Sequence, residues 1–254
     1  MELGIIADDN TGASDAAGML TERGVRTLLV TGDTLPHADL GACDAVVIGT
    51  RSRSIPAGDA YRRVAEAARW LRAAGARKIQ LKYCSTFDST PEGNIGPSLD
   101  AALDALGQGA AIVAPALPAL GRTTYQGYHF VGSQLLSDSP LRLHPLNPMT
   151  DSNLVRWLAL QTKRGVSLAP LAVVRQGAAA LRAFLEDQAR RGTAYVVVDA
   201  VADSDLAVAA EATAGSPFVS GASGITAALA CVVFPGRPAL SFAARLARIP
   251  KPTL

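Results

Sequence analysis

Apolar runs of four or five residues alternate along this chain with longer stretches whose apolar positions recur every three or four residues. Leu3-Gly4-Ile5-Ile6-Ala7 is a run of the first kind, short and without a polar position, as in a strand covered on both faces. Residues 13–23 have the helical spacing and stop at Gly24. Further strands are predicted at 27–30, 45–48, 78–81 and 110–114, with helices at 57–74, stopped by Gly75, and 98–106, stopped by Gly107. The alternation lapses over 115–149, a stretch rich in Pro, Gly, Tyr and polar residues. Compact domains rarely keep so long an irregular stretch without a use. A small hairpin or an excursion covering a pocket is expected there. Alternation resumes with a helix at 152–162, a strand near 171–174, a helix at 178–191 and a strand at 195–198. A helix at 203–212, a short strand at 218–219 and a helix start at 224–230 follow.

The βαβα order predicts an α/β fold: a mainly parallel, Rossmann-like sheet with right-handed crossovers and helices on both faces. The pattern leaves open whether the two βα-rich halves share one sheet or form two lobes meeting at the 115–149 excursion. With 254 residues, 49% hydrophobic and 18% charged, the chain is long and apolar enough to bury a substantial core. A formal charge of +2 gives no argument for nucleic acid or a lipid surface as partner. No run approaches the roughly 18 apolar residues of a membrane span, and the N-terminus opens on a strand without a signal-like core. A soluble, cytoplasmic protein is expected.

Cys43, Cys84 and Cys231 are few and widely spaced, and so are His37, His129 and His144. Neither set has the spacing of a disulfide framework or a zinc site, and no metal ligated by the protein is expected. Cys84 reads as a small residue beside a pocket, since no histidine is near it in sequence to activate a thiolate.

The chemistry gathers at the ends of predicted strands, where open α/β sheets bind their ligands. Asp8 and Asp9 follow the first strand and open the first helix with Thr11 and Gly12. One such carboxylate caps a helix. A second is costly unless it binds a cation, a proton or hydroxyl donors. Thr50-Arg51-Ser52-Arg53-Ser54 follows the third strand, and a planar guanidinium beside hydroxyls suits a small polar acid. Lys82 to Gly96 carries a cation, Asp88, Ser89, Thr90 and the glycines Gly93 and Gly96, which free the backbone to turn and offer amides to an anion. An ordinary polar loop with Asn94 as helix cap is the plainer reading. Pro115 to Pro118 with Gly121-Arg122-Thr123 extends the pattern, either as a rigid turn or as another anion contact. Residues 147–153 read as a helix start capped by Thr150 or Ser152. Ser220-Gly221-Ala222-Ser223-Gly224 has the form of a phosphate-binding turn without the lysine of a P-loop.

Taken in order, these segments resemble the four-carbon acid sugar kinase family. The resemblance rests on Ile6 to Ala13, Thr50 to Arg53, Lys82 to Thr90 with Gly93 to Gly96, and Pro115 to Thr123. The Lys-Tyr-Cys-Ser-Thr-Phe-Asp-Ser-Thr form is similar to the 3-oxo-tetronate kinase branch, and the likeness covers residues 1 to about 225. Asn10 departs from it, standing where the family usually has an apolar residue. The resemblance implies phosphorylation by ATP with Mg2+ of a terminal hydroxyl on a four-carbon sugar acid. It implies that Asp8, Asp9, Arg51, Ser52, Arg53, Lys82, Asp88, Ser89, Thr90, Gly93 and Asn94 hold the acid, with Asp9 as the base. Ser220, Gly221 and Gly224 are the implied nucleotide contacts. Residues 1–230 would form the substrate-binding domain and 231–254 an atypical tail, with the family's nucleotide-binding domain missing. Two other readings stand beside this one: a sugar-acid binding module without catalysis, and a Rossmann-like oxidoreductase, which the missing Gly-x-Gly-x-x-Gly disfavours. Assembly into a homo-oligomer is left open.

Overall fold

The computed structural model describes residues 1–32, 35 and 43–237. His37 and the tail from 238 onward lie outside the described residues. In chain order the first half comprises β1 (Leu3–Ala7), α1 (Asn10–Glu22), β2 (Thr27–Thr31), β3 (Ala45–Gly49), α2 (Ala57–Ala73), β4 (Lys78–Lys82), α3 (Ile95–Leu106) and β5 (Ala111–Ala114). A small unit follows: β6 (Arg122–Tyr125), β7 (Tyr128–Val131), β8 (Gln134–Leu135) and α4 (Leu154–Ala159). The chain then adds β9 (Gly165–Ala169), α5 (Leu171–Val174), α6 (Ala178–Arg190), β10 (Thr193–Val198), α7 (Asp203–Ala212), β11 (Phe218–Gly221) and α8 (Ser223–Val233).

Eight strands form one sheet in the order β2-β3-β1-β4-β11-β5-β10-β9, with every pairing parallel. Both βα-rich halves therefore share a sheet, and β11, the last strand among the described residues, is inserted between β4 and β5. Side chains alternate across the strands. Leu3, Ile5 and Ala7 pack with α1, whereas Ile6 joins the cluster under α2 and α3. Gly4 lies on that second face, where a Cβ would come within 2.9 Å of Leu71. Helices α2 and α3 thus cover one face of the sheet, and α1, α6, α7 and α8 cover the other.

The excursion after β5 is a three-stranded antiparallel sheet, β6-β7-β8. Asp199, at the end of β10, ties it down: its carboxylate accepts from the N–H groups of Gln126, Gly127 and Leu171 at 2.8–3.0 Å. Two expectations need correction. Residues 171–174 are the short helix α5, not a strand, because Pro170 leads into a helical turn; the strand is β9, just upstream. The cap of α4 is Asn153, which accepts from the Arg156 N–H at 3.0 Å, while Ser152 instead bonds Ser137. Residues 231–233 complete the last turn of α8. Among the described residues no helix is long and apolar enough to cross a membrane.

Candidate functional site

The carboxyl ends of β1, β3 and β4 lie side by side, because β1 pairs with both of the others in register: Ala7 is opposite Gly49 on one side and Lys82 on the other. The three polar loops therefore leave the sheet together. The loop after β3 folds onto the loop after β1, with the N–H groups of Ser52 and Arg53 donating to the Asp8 carbonyl at 2.8 and 3.1 Å. The Asp8 N–H in turn donates to the Lys82 carbonyl at 3.0 Å.

Arg53 joins the two carboxylates. Its Nε and Nη2 meet the Asp8 oxygens at 2.8 Å each, and Nη1 lies 3.0 Å from Asp9 Oδ2. A fork of this kind fixes both acids in place. Burial pushes the Asp8 carboxyl above its ordinary value, and the hydrogen bonds from Arg53 pull it back. Asp9 is the more accessible of the two, with its side chain 27% exposed against 9% for Asp8. Its other oxygen, Oδ1, accepts from the Gly12 N–H at 2.6 Å and so caps α1. Capping and site geometry are thus performed by the same carboxylate.

Lys82 points to the opposite face of the sheet. It is buried, its Nζ lies 3.6 Å from Asp15, and Asp15 also accepts from the Ser223 hydroxyl at the start of α8. A Cβ on Gly12 would meet Asp9 Oδ1 at 2.5 Å and Lys82 Nζ at 2.9 Å. Gly12 is therefore the point where the acidic pair and the buried ammonium come together.

The loop after β4 completes the cluster. Asn94 begins α3, but its side chain makes no cap bond; Nδ2 reaches across to the Ser52 carbonyl at 3.1 Å. Thr86 donates to Asp88 Oδ1 at 2.7 Å, and Cys84 Sγ is 3.0 Å from the Thr86 hydroxyl. Burial pushes the Cys84 thiol up, as suits a small pocket residue better than a thiolate nucleophile. Ser89 faces inward, where its hydroxyl accepts from Trp157 Nε1 and Gln161 Nε2. The Gly96 N–H is taken by Gln161 Oε1 at 3.0 Å, so the expectation that this glycine offers its amide to an anion fails. Thr90 and Gly93 bond one another across a tight turn in which Gly93 has φ of +140°. Arg51 and Phe87, both non-glycine, sit at φ of +50° and +55°. Strain of that kind persists where the surroundings enforce it, as in ligand-binding loops.

Arg53, Thr90, Gly93 and Asn94 line one cavity of about 200 Å3, which Leu146 and Asn147 of the excursion close from the other side. The excursion is held to the β4 loop by His129, buried in β7, whose Nε2 donates to the Ser85 carbonyl at 2.8 Å while Nδ1 faces the Thr124 hydroxyl at 3.0 Å. Burial drops this imidazole to about 4. Sequence reading missed His129 and Asn147, since each is far in sequence from the loops it meets.

The turn after β11 arrives beside Lys82, because Gly221 is opposite Lys82 in the register. Ser220 is fully buried and donates to the Ile112 carbonyl at 2.7 Å. A Cβ on Gly221 or Gly224 would meet the carbonyl oxygens of Ala114 and Ala116 at 2.3 and 2.4 Å, so both glycines serve close packing against β5 and its loop.

Residues 3–229 match the family described as the sugar-binding N-terminal domain. The chain belongs to that family. A 3-oxo-tetronate kinase of Methylobacterium radiotolerans is 49% identical to this sugar-binding domain over 91% of the chain and 54% of the relative. A solved structure from Salmonella typhimurium has a TM-score of 0.87 at 43% identity, covering 91% of this domain and 55% of that chain. A Bordetella bronchiseptica domain of unknown function, solved with bound citrate as a domain-swapped dimer, has a TM-score of 0.77 at 30% identity, covering 91% and 56%. The sugar-binding domain thus spans about half the length of the curated relatives it matches.

Proposed function

We propose that this domain holds a four-carbon sugar acid of the 3-oxo-tetronate type for ATP-dependent phosphorylation of its terminal hydroxyl. The observation that carries the reading is the meeting of Asp8, Asp9, Arg53 and Asn94 where the loops after β1, β3 and β4 leave the sheet, with Arg53 and Asn94 lining one cavity, in a chain whose relatives are named as such kinases. Citrate bound to a structural neighbour supports a polycarboxylate or hydroxy-acid ligand.

In this reading Arg53 is occupied by Asp8 and Asp9 and orients them instead of binding the substrate carboxylate. Lys82 and Arg51 are then the cations assigned to the acid or to the transferred phosphoryl group. Asp9, the accessible member of the pair, takes the proton from the terminal hydroxyl as general base. Thr90 and Gly93 line the cavity, while Ser52, Asp88 and Ser89 support the surrounding loops through their hydrogen bonds. The backbone N–H groups at the start of α8 would receive a phosphate, since the Ser220 hydroxyl is bonded elsewhere and the α8 cap residue is Ala222.

Among the described residues no group of three or more His, Cys, Asp or Glu side chains converges, so a magnesium ion would be held here by at most one or two carboxylates together with phosphate oxygens. Most of the nucleotide contacts are assigned, in this reading, to the half of the relatives beyond the match.

Calorimetric titration with threonate and erythronate tests the reading. Saturable heat that Lys82→Ala weakens at least tenfold is expected; no heat with any four-carbon sugar acid would overturn it. The second reading, a binding module without catalysis, is favoured by the match of residues 3–229 to a family described by sugar binding. Incubation of the 254-residue chain with ATP, Mg2+ and the bound acid separates the two, since phosphorylated product excludes the module.

A further inference from the structure

Asn94 and Asn147 both line the 200 Å3 cavity, and each carries one buried side-chain atom, Oδ1 and Nδ2 respectively, that finds no hydrogen-bond partner among the described residues. Their residues are 6% and 3% exposed. Orphaned buried polar atoms are uncommon, because each forgoes the hydrogen bond it had with water. One is an acceptor, the other a donor, and a hydroxyl group satisfies both at once.

Both asparagines are held in place by their other contacts. Asn94 is fixed by the bond from Nδ2 to the Ser52 carbonyl, which settles its Oδ1 as the free acceptor. Asn147 is fixed through its backbone, whose N–H donates to His144 Nδ1 at 3.0 Å. Its carboxamide retains the broad terminal torsion of such groups, so it can turn toward the cavity without moving the chain. At about 200 Å3 the cavity has several times the roughly 30 Å3 a water occupies in the liquid, which is room for a molecule of a few carbons.

We propose that Asn147 is a substrate-contacting residue that sets hydroxyl specificity: its carboxamide donates to one hydroxyl of the sugar acid, and that hydroxyl donates to Asn94 Oδ1. The inference rests on the function proposed above and adds a recognition element that the strand-end loops lack, supplied by the excursion. A neutral carboxamide suits the task, since it reads a hydroxyl without adding charge to the cavity that Arg53 lines.

The test titrates wild type, Asn147→Ser and Asn147→Asp with threonate, erythronate and the three monodeoxy acids, 2,3-, 2,4- and 3,4-dihydroxybutyrate. Thermal melts accompany each variant. The expected result is a loss of affinity of about tenfold for threonate or erythronate in both variants, and no loss for the one deoxy acid that lacks the hydroxyl read by Asn147. Equal losses with all five ligands, or no loss with any, would overturn the assignment while leaving the sugar-acid reading intact. Absence of binding to wild type would remove that reading and this one with it.

Discussion

At the scale of single residues, Gly12 and His129 make the sharpest claims. An alanine in a helix ordinarily gains up to about 1 kcal/mol over glycine. At position 12 the added carbon would sit 2.5 Å from Asp9 Oδ1 and 2.9 Å from Lys82 Nζ, so the cap carboxylate must swing away. Loss of a cap costs about 1 kcal/mol. Gly12→Ala should therefore leave the melting temperature nearly unchanged and weaken sugar-acid binding at least tenfold, as melts and calorimetry on one preparation would check. His129 concerns pH. Its imidazole falls from the ordinary 6.5 to about 4 on folding through burial, so between those values the unfolded chain binds the proton and the native one does not. Its contribution to stability is full above pH 6.5 and is lost as pH falls toward 4, by roughly 3 kcal/mol at about 1.4 kcal/mol per pH unit. Denaturant midpoints from pH 7 to 4 should show this slope in wild type and a shallower one in His129→Gln.

At the scale of elements, the end of α7 is the informative place. Its last carbonyls are met by two cations: Lys78 Nζ donates to the Thr213 carbonyl at 2.7 Å and also to that of Ser216, and Arg182 donates to those of Ala212 and Glu211 at 3.1 Å. Cations at a helix C-terminus satisfy its free carbonyls and its dipole. Burial lowers Lys78 from 10.5 to about 8, so from pH 8 to 10.5 the unfolded chain carries the extra proton. The Lys78 contribution to stability therefore rises across that window, and Lys78→Met should abolish the rise in urea midpoints measured at pH 7.5, 9 and 10.5. Asp199 plays a comparable part for the excursion. Asp199→Asn replaces one acceptor oxygen by a donor that faces backbone N–H groups, and should cost about 1–3 kcal/mol. A melt lowered by more than about 2 °C is the expected sign of it.

At the scale of the whole molecule, the position of β11 governs. A strand that ends the described sheet in sequence lies between β4 and β5 in space, so the N-terminal and C-terminal βα units cannot separate without breaking its pairings. Unfolding should then be a single cooperative transition with coincident far-UV and near-UV signals. Gly224→Ala, which would drive a Cβ to 2.4 Å from the Ala116 carbonyl oxygen, should lower that transition by several degrees without splitting it. Two resolved transitions would contradict a shared sheet.

Much of this was legible in the sequence. Short apolar runs, glycine stops and the adjacent acids at Asp8 and Asp9 depend on local propensity and periodicity, so they disclosed the parallel α/β layout and the polar strand ends, including the loops that carry Arg53, Lys82 and Asn94. Local signals failed where distant segments decide the outcome. Residues 171–174 have strand-like composition, yet they form a helical turn after Pro170, and the edge strand is β9 just upstream. The Arg53 fork is spent on two carboxylates that lie 45 and 44 positions earlier, which composition has no means of reporting. His129, Asn147 and the buried Ser220 gained their surroundings only when the excursion and β11 were set against β4 and β5. Periodicity is a property of neighbours along the chain, whereas a site is made by strand order, and strand order is fixed only when the whole sheet closes its pairings.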